Sequence, residues 1–176
     1  NGYLIKPYAN LLNANLRGAN LSGANLSGAN LRGANLSGAN LNNSNLSNAN
    51  LSNADLSKSY LNSARLYRAN LNNANLENSH FNKAYLFGAN LSNANLKSSN
   101  FKFADFTYGN LRDANISYAD FYKANFYKTN ILGVNLNGSK MADADIKEVI
   151  GYNIKGLPAA LHTSWELENG KLIRSF

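Results

Sequence analysis

From Leu11 to Ile146 a large apolar residue returns at every fifth position, with a polar residue, usually Asn, just before it and a small residue one place earlier. The run Ala19-Asn20-Leu21-Ser22-Gly23-Ala24-Asn25-Leu26 shows the metre. Such a unit is too small to bury its own apolar residue and must stack on its neighbours. Five residues fit neither regular template. On an α-helix successive Leu residues would be rotated by about 140°, and on a flat strand they would alternate between faces. If each pentapeptide is instead one short side of a coil, every Leu points to a common axis and the polar side chains point outward, which predicts a β-solenoid. Counting each unit from two residues before its apolar centre, the array spans residues 9–148, or 28 units.

This unit resembles that of the pentapeptide-repeat family, written A(D/N)LXX, and the resemblance covers residues 9–148. It implies an all-β fold, a right-handed quadrilateral β-helix with four pentapeptides per coil. Seven coils at about 4.8 Å each would make a rod roughly 34 Å long. Every twentieth residue then forms a vertical column. The central aromatic residues group into two adjacent columns, Phe81, Phe101 and Phe121 in one and Phe106 and Phe126 in the next. That grouping agrees with four units per turn, since rings then stack on rings of the same size.

Each buried centre is expected to contribute about 1.5–3 kcal/mol. The position two before it is Ala, Ser or Gly in nearly every unit, because the interior leaves no more room, with Thr129, Val134 and Val149 appearing only late. The Asn residues between are expected to form vertical amide ladders that satisfy one another and the turns, a scaffold rather than a binding site. Gly18, Gly23, Gly28, Gly33 and Gly38 read as corner residues, since they lack the grammar of a phosphate loop.

The ends are expected to be caps, residues 1–8 and 149–176, because a solenoid otherwise exposes unpaired backbone. Trp165-Glu166-Leu167-Glu168, Asn169-Gly170 and Lys171-Leu172-Ile173-Arg174 predict a hairpin with a type I′ turn, in which Glu168 faces Lys171 and Leu167 faces Leu172. Trp165, Leu157, Leu161 and Leu167 are expected to bury against the last coil around Met141 and Ile146. The opening residues 1–8 echo residues 169–176, sharing Asn, Gly, Leu and Ile, with Lys6 matched to Arg174 and Tyr8 to Phe176. The stretch from Leu157-Pro158 to Asn169-Gly170 also resembles the connector between blocks in multi-block bacterial members of the family. Both features point to a module of a larger tandem protein, with similar caps as the alternative. Tyr3, Leu4, Ile5 and Tyr8 alone can shield the first coil, so the rod is expected to be a monomer or an end-to-end dimer.

Candidate chemistry is sparse. Cysteine is absent, and His80 and His162 lie far apart, so no catalytic, cofactor or metal site is expected. Asp55, Asp105, Asp120 and Asp145 occupy ladder positions where the family motif itself allows Asp, and Asp143 with Asp145 lacks a calcium-loop pattern. No apolar stretch reaches 18 residues, so no membrane span is expected, and the compartment is undetermined. With 17 Lys and Arg against 10 Asp and Glu, the net charge of +7 opposes the DNA mimicry by which some family members protect DNA gyrase. The basic residues are dispersed and form no recognition motif, which disfavours nucleic-acid binding. Thr107, Thr129 and Thr163 are too few for an ice-binding row.

What the repeat does not dictate is its outward decoration. Early coils show mainly Ser, Gly and Asn, whereas two neighbouring sides of the later coils carry Tyr67, Arg68, Lys83, Phe87, Lys102, Phe103, Tyr108, Tyr122, Lys123, Tyr127 and Lys128. Rings beside cations suit a protein partner, a polysaccharide or an acidic polymer. Ordinary stacking on a β wall is the competing explanation. The expected function is therefore a non-enzymatic structural or spacer module with an interaction face on its later coils. A free-standing regulatory binder of a protein target is the alternative.

Overall fold

The computed structural model describes residues 4–161 and 165–174. Each residue preceding an apolar centre pairs in parallel with the residue 20 positions on, from Asn10↔Asn30 through Asn70↔Asn90 to Lys140↔Ala160. Four pentapeptides therefore make one coil, and the chain is an all-β, right-handed quadrilateral β-helix. Coil 1 is residues 9–28 and coil 7 is residues 129–148. Sides one to four of the first coil are centred on Leu11, Leu16, Leu21 and Leu26.

One unit shows how the backbone is satisfied. Leu31 N donates to Asn50 O (2.7 Å) and Gly33 N to Ser52 O (2.9 Å) in the coil below, while Asn50 N donates back to Ala29 O (2.9 Å). Ala34 N closes the corner onto Leu31 O (3.0 Å). The second corner residue has positive φ in every unit, from 53° at Lys128 to 68° at Gly23. These are type II turns, which favour Gly or Asn at that position.

All 28 apolar centres are buried, the most accessible being Leu21 at 6%. The aromatic columns stack as expected, Phe81 on Phe101 at 4.6 Å, Phe101 on Phe121 at 5.3 Å and Phe106 on Phe126 at 4.9 Å. Phe101 also meets Phe106 across the core at 5.2 Å. Where Ser or Thr replaces Ala inside, most hydroxyls bond to the wall, as Ser99 does to Leu76 O (2.6 Å) and Thr129 to Phe106 O (2.8 Å). Buried hydroxyls need such partners.

The amide ladders form. On side one Asn90 Nδ2 donates to Asn70 Oδ1 (3.4 Å) and Asn110 Nδ2 to Asn90 Oδ1 (3.2 Å), and on side two Asn95 Nδ2 donates to Asn75 Oδ1 (3.2 Å). Each Oδ1 also accepts from a backbone N–H two residues ahead, as Asn90 does from Ser92 (3.1 Å). Ladder carboxylates do the same work: Asp55 accepts from Ser57 N (3.0 Å) and from Asn75 Nδ2 (3.1 Å).

The coil outruns its sequence metre. Beyond Glu148, Asn130↔Ile150, Asn135↔Lys155 and Lys140↔Ala160 continue the parallel pairing around three sides of an eighth coil. Gly151 stands where an apolar centre is due, and a Cβ there would lie 2.7 Å from Ile131 Cγ1, so the Ile131 side chain fills that space. Contrary to expectation, Leu157 is 72% exposed, because Gly138 N engages its carbonyl (2.7 Å) and holds this segment as outer wall.

The hairpin forms as read: β1 is Trp165–Glu168, β2 is Lys171–Arg174, and Glu168↔Lys171 and Leu167↔Leu172 are paired. Asn169 (φ 46°) and Gly170 (φ 73°) make the turn, which docks through Ile154 N to Gly170 O (3.0 Å). Leu172 is buried, and Leu161 and Leu167 pack in part against the core. The expected places of Tyr3, His162, Thr163 and the Trp165 side chain lie outside the described residues.

Candidate interaction surface

Corners project farther from the axis than sides do, so decoration is set by the two corner residues of each unit. The corner between sides three and four carries Lys83, Lys102, Phe103, Tyr122 and Lys123. The next corner, between sides four and one, carries Tyr67, Arg68, Phe87, Tyr108, Tyr127 and Lys128. All eleven residues singled out from the sequence are at least partly accessible and flank side four of coils 3–6. Tyr67, Phe87, Tyr108 and Tyr127 supply one ring per coil over four consecutive coils.

These rings touch. Phe87 meets Tyr108 edge-on at 5.4 Å, Tyr108 meets Tyr127 at 6.1 Å and Phe103 meets Tyr122 at 5.7 Å. Lys128 Nζ lies over the Tyr127 ring (5.1 Å) and the Tyr108 ring (5.8 Å), and Lys123 lies over Tyr122 (5.2 Å). The Tyr127 side chain first, and the Glu148 carboxylate after it, raise the Lys128 pKa above the ordinary lysine value.

The structure adds four residues that the sequence reading treated as ladder scaffold or passed over. Tyr60 and His80 stand on side three with rings stacked at 5.0 Å, and Arg65 and Tyr85 stand on side four, where Tyr85 meets Tyr67 at 5.9 Å. Tyr60 and Tyr85 are 45% and 42% exposed. Each interrupts an Asn column, and that interruption, read every 20 residues, is the signal that would have found them.

Charge divides this surface in two. In coils 5–7 several lysines are neutralised locally, Lys102 by Asp120 (3.3 Å), Lys128 by Glu148 (3.5 Å) and Lys147 by Asp145 (3.9 Å), while Lys123 and Lys140 have no ion pair among the described residues. In coils 3 and 4, Arg65, Arg68 and Lys83 have no ion pair among the described residues. Most of the unbalanced positive charge on this surface, Arg65, Arg68 and Lys83 against Lys123 alone, thus lies beside Tyr60, Tyr67, Tyr85 and Phe87, nearer the middle of the rod than the Tyr122 and Tyr127 end.

Several of these residues are also costly to hold. Arg68, Lys83, Phe103, Tyr108, Lys123 and Lys128 have φ between 53° and 59°, a left-handed conformation that costs an ordinary residue about 1–2 kcal/mol. The same corner is filled by Gly or Asn through most of coils 1 and 2. Nothing in the fold requires a large side chain there.

Among the described residues no constellation for bond-making chemistry comes together. His80 is stacked on Tyr60, and among the described residues no three His, Asp or Glu side chains gather as metal ligands. Asp105 is engaged by Thr107 N (3.0 Å) and Thr107 Oγ1 (2.5 Å), and Asp120 by Lys102 and by Tyr122 N (3.1 Å). Among the described residues no helix is long and apolar enough to cross a membrane.

A four-sided rod with a continuous core, hydrogen-bonded walls and a decorated exterior is a solenoid scaffold. The chain belongs to the pentapeptide-repeat family: the family model for pentapeptide repeats matches residues 9–48, 44–82, 64–102, 94–133 and 104–143. Among solved structures it is similar to HetL, a pentapeptide repeat protein involved in heterocyst differentiation regulation from the cyanobacterium Nostoc sp. strain PCC 7120. That match has a TM-score of 0.54 and 24% identity over 95% of this chain and 92% of that one. It is also similar to a trypsin-treated variant of QnrB1, a plasmid-mediated fluoroquinolone resistance protein, with a TM-score of 0.67 and 22% identity over 85% and 80% of the two chains. Both likenesses establish the fold. No curated protein sequence matches the chain.

Proposed function

We propose that this protein is a non-enzymatic scaffold, a rigid rod that holds a protein partner against side four and its two flanking corners. The observation that carries this reading is the combination of exposed rings and unpaired cations at corners whose backbone favours Gly or Asn. A residue held at a local cost without an ion pair inside the fold, as Arg68 and Lys83 are among the described residues, is a candidate for work done outside it. Family membership supports a role without bond-making chemistry. HetL is described as acting in regulation, which is compatible with a binding role for this chain.

Site-specific photo-crosslinking in the native host tests the reading. A crosslinker at Tyr85 should trap a discrete protein partner, while one at Ser92, on the corner after side one, should trap none. Equal yields from both positions, or none from Tyr85, would refute it.

A second reading makes the rod a spacer within a tandem protein. It is supported by the phrase shared by residues 1–6 and 169–174, of which the second copy builds the turn and β2 of the terminal hairpin. In this reading residues 9–148 are the block and 149–176 the connector. Further Trp-x-Leu-x-Asn-Gly phrases between pentapeptide blocks of the parent reading frame are the expected result, and their absence would remove it.

A further inference from the structure

The geometry points to a docking notch at Gly88 that receives a bulky apolar side chain from an acidic segment of the partner protein. This rests on the scaffold reading and narrows it to one place and one chemistry. Gly88 is the second corner residue of coil 4, directly below Arg68 and above Tyr108. Its own N–H is tied to Thr107 O (2.9 Å), so the backbone at the bottom of the notch is fixed.

Of the other corner glycines, Gly28, Gly33, Gly133 and Gly138 are covered by the side chain one coil above, and Gly18, Gly23 and Gly38, in the first two coils away from the aromatic surface, meet nothing within 4 Å. A Cβ on Gly28 would lie 2.5 Å from the Tyr8 ring, one on Gly138 would lie 2.6 Å from the Tyr118 ring, and one on Gly133 would lie 2.1 Å from Asp113 Oδ1. At Gly88 the corresponding neighbour is only the Arg68 stem, with Cγ at 3.4 Å. A gap one side chain wide is therefore left in a ridge otherwise built from Tyr67, Arg68, Phe87 and Tyr108.

The rim decides what fits. Phe87 and Tyr108 meet at 5.4 Å and Tyr67 and Tyr85 at 5.9 Å, with Tyr108 52% exposed, so the notch has aromatic walls suited to an inserted ring or large aliphatic group. Arg68 above it and Arg65 on the adjoining side four have no carboxylate partner among the described residues, and neither does Lys83 across side four. The nearest ladder carboxylate, Asp105, is held by Thr107. Positive charge left unpaired beside aromatic walls is complementary to Asp or Glu flanking the inserted residue.

The test fills the notch without disturbing the fold. Asn occupies the same turn position at Asn43, Asn48, Asn53, Asn73, Asn78 and Asn93 with φ of 57–59°, so Gly88→Asn suits the backbone and adds a side chain in the gap. Gly38→Asn is the control, since that corner has nothing within 4 Å of an added Cβ and lies away from the aromatic surface. The probe is a fluorescein-labelled peptide with a central Trp flanked by Glu, measured by anisotropy against the whole chain. Its counterparts carry Lys for Glu or Ala for Trp.

The unsubstituted protein and Gly38→Asn should bind the Glu/Trp peptide alike. Gly88→Asn, and either altered peptide, should bind about tenfold more weakly, the loss expected of a central anchor. Undiminished binding by Gly88→Asn overturns the notch, as does preference for the Lys peptide or for a neutral glucan oligosaccharide. Failure of the unsubstituted protein to bind the Glu/Trp peptide at all overturns it too. If Gly88→Asn also leaves the Tyr85 crosslink intact, the notch fails while the scaffold reading stands.

Discussion

Replacing Lys58 and Lys83 with Asn should make the rod more stable, although both changes remove charge and methylene contacts. Both lysines occupy the second corner position with φ of 58°, both are exposed, and neither has an ion pair among the described residues. A left-handed conformation costs an ordinary residue about 1–2 kcal/mol, and Asn recovers part of this through local hydrogen bonding. Six other corners hold Asn at the same φ, so no backbone adjustment is needed. A gain of about 0.5–1 kcal/mol per substitution follows. The two sites lie on different corners and share no partner, so the double variant should gain about 1–2 kcal/mol. Guanidinium unfolding followed by circular dichroism measures this as a higher midpoint at constant slope. Partner capture divides the pair: Lys83→Asn should weaken it, and Lys58→Asn, on the corner after side two, should leave it unchanged. Unchanged or lowered midpoints for both variants would refute the claim that these corners are strained, and with it one support for the binding surface.

Three other outcomes are expected. Phe101→Ala removes a ring stacked on Phe81 and Phe121 and should cost about 3–5 kcal/mol in the same unfolding assay; a loss below 1 kcal/mol would mean the column is loosely packed. Asn90→Ala frees the Ser92 N–H and hydroxyl and the amides of Asn70 and Asn110, costing about 1–2 kcal/mol, whereas Asn90→Asp should keep most of that stability, as Asp55 does on side two. Lys128 should titrate above other exposed lysines by NMR, and Glu148→Gln should lower its value. Since its folded pKa is raised, any stability it adds is fully present below the unfolded lysine pKa and is lost only as pH rises through the folded value, so stability should not vary through Lys128 near neutral pH.

The interior was legible in the sequence because three positions in every five each have a single task. Leu, Ile, Phe or Met at the centre, Ala or Ser behind it and Asn between them each answer one steric or hydrogen-bonding demand, and the ring columns confirmed the turn length. The hairpin was equally plain, since Asn-Gly fixes both turn type and register. The eighth partial coil was hidden because backbone pairing at Ile150 and Lys155 persists although Gly151 and Gly156 stand where the apolar centre is due, and only Ala160 is followed by a Leu, Leu161. Within the surface, the eleven corner residues were visible as departures from Ser, Gly and Asn. Their charge balance was not, because the ion pairs join residues far apart in sequence: Lys97 with Glu77 (3.8 Å) and Lys128 with Glu148 are each one coil apart. The same spacing brings Tyr60 onto His80.

Because every residue's vertical neighbour lies 20 positions away, the chain can change length only in discrete steps. Duplicating a whole coil, residues 29–48 for example, should lengthen the rod by about 4.8 Å and leave all later corners in line. Losing five residues should instead turn everything downstream by a quarter revolution, carrying Tyr67, Phe87 and Tyr108 together to another side of the first coils. Losing one or two would set a corner residue, Ser52 or Asn53 in place of Leu51 for example, against the core and has no register to fall into. Insertions and deletions in such a chain act as a ratchet, and a binding face can be raised, lowered or rotated as a unit while its internal contacts are conserved.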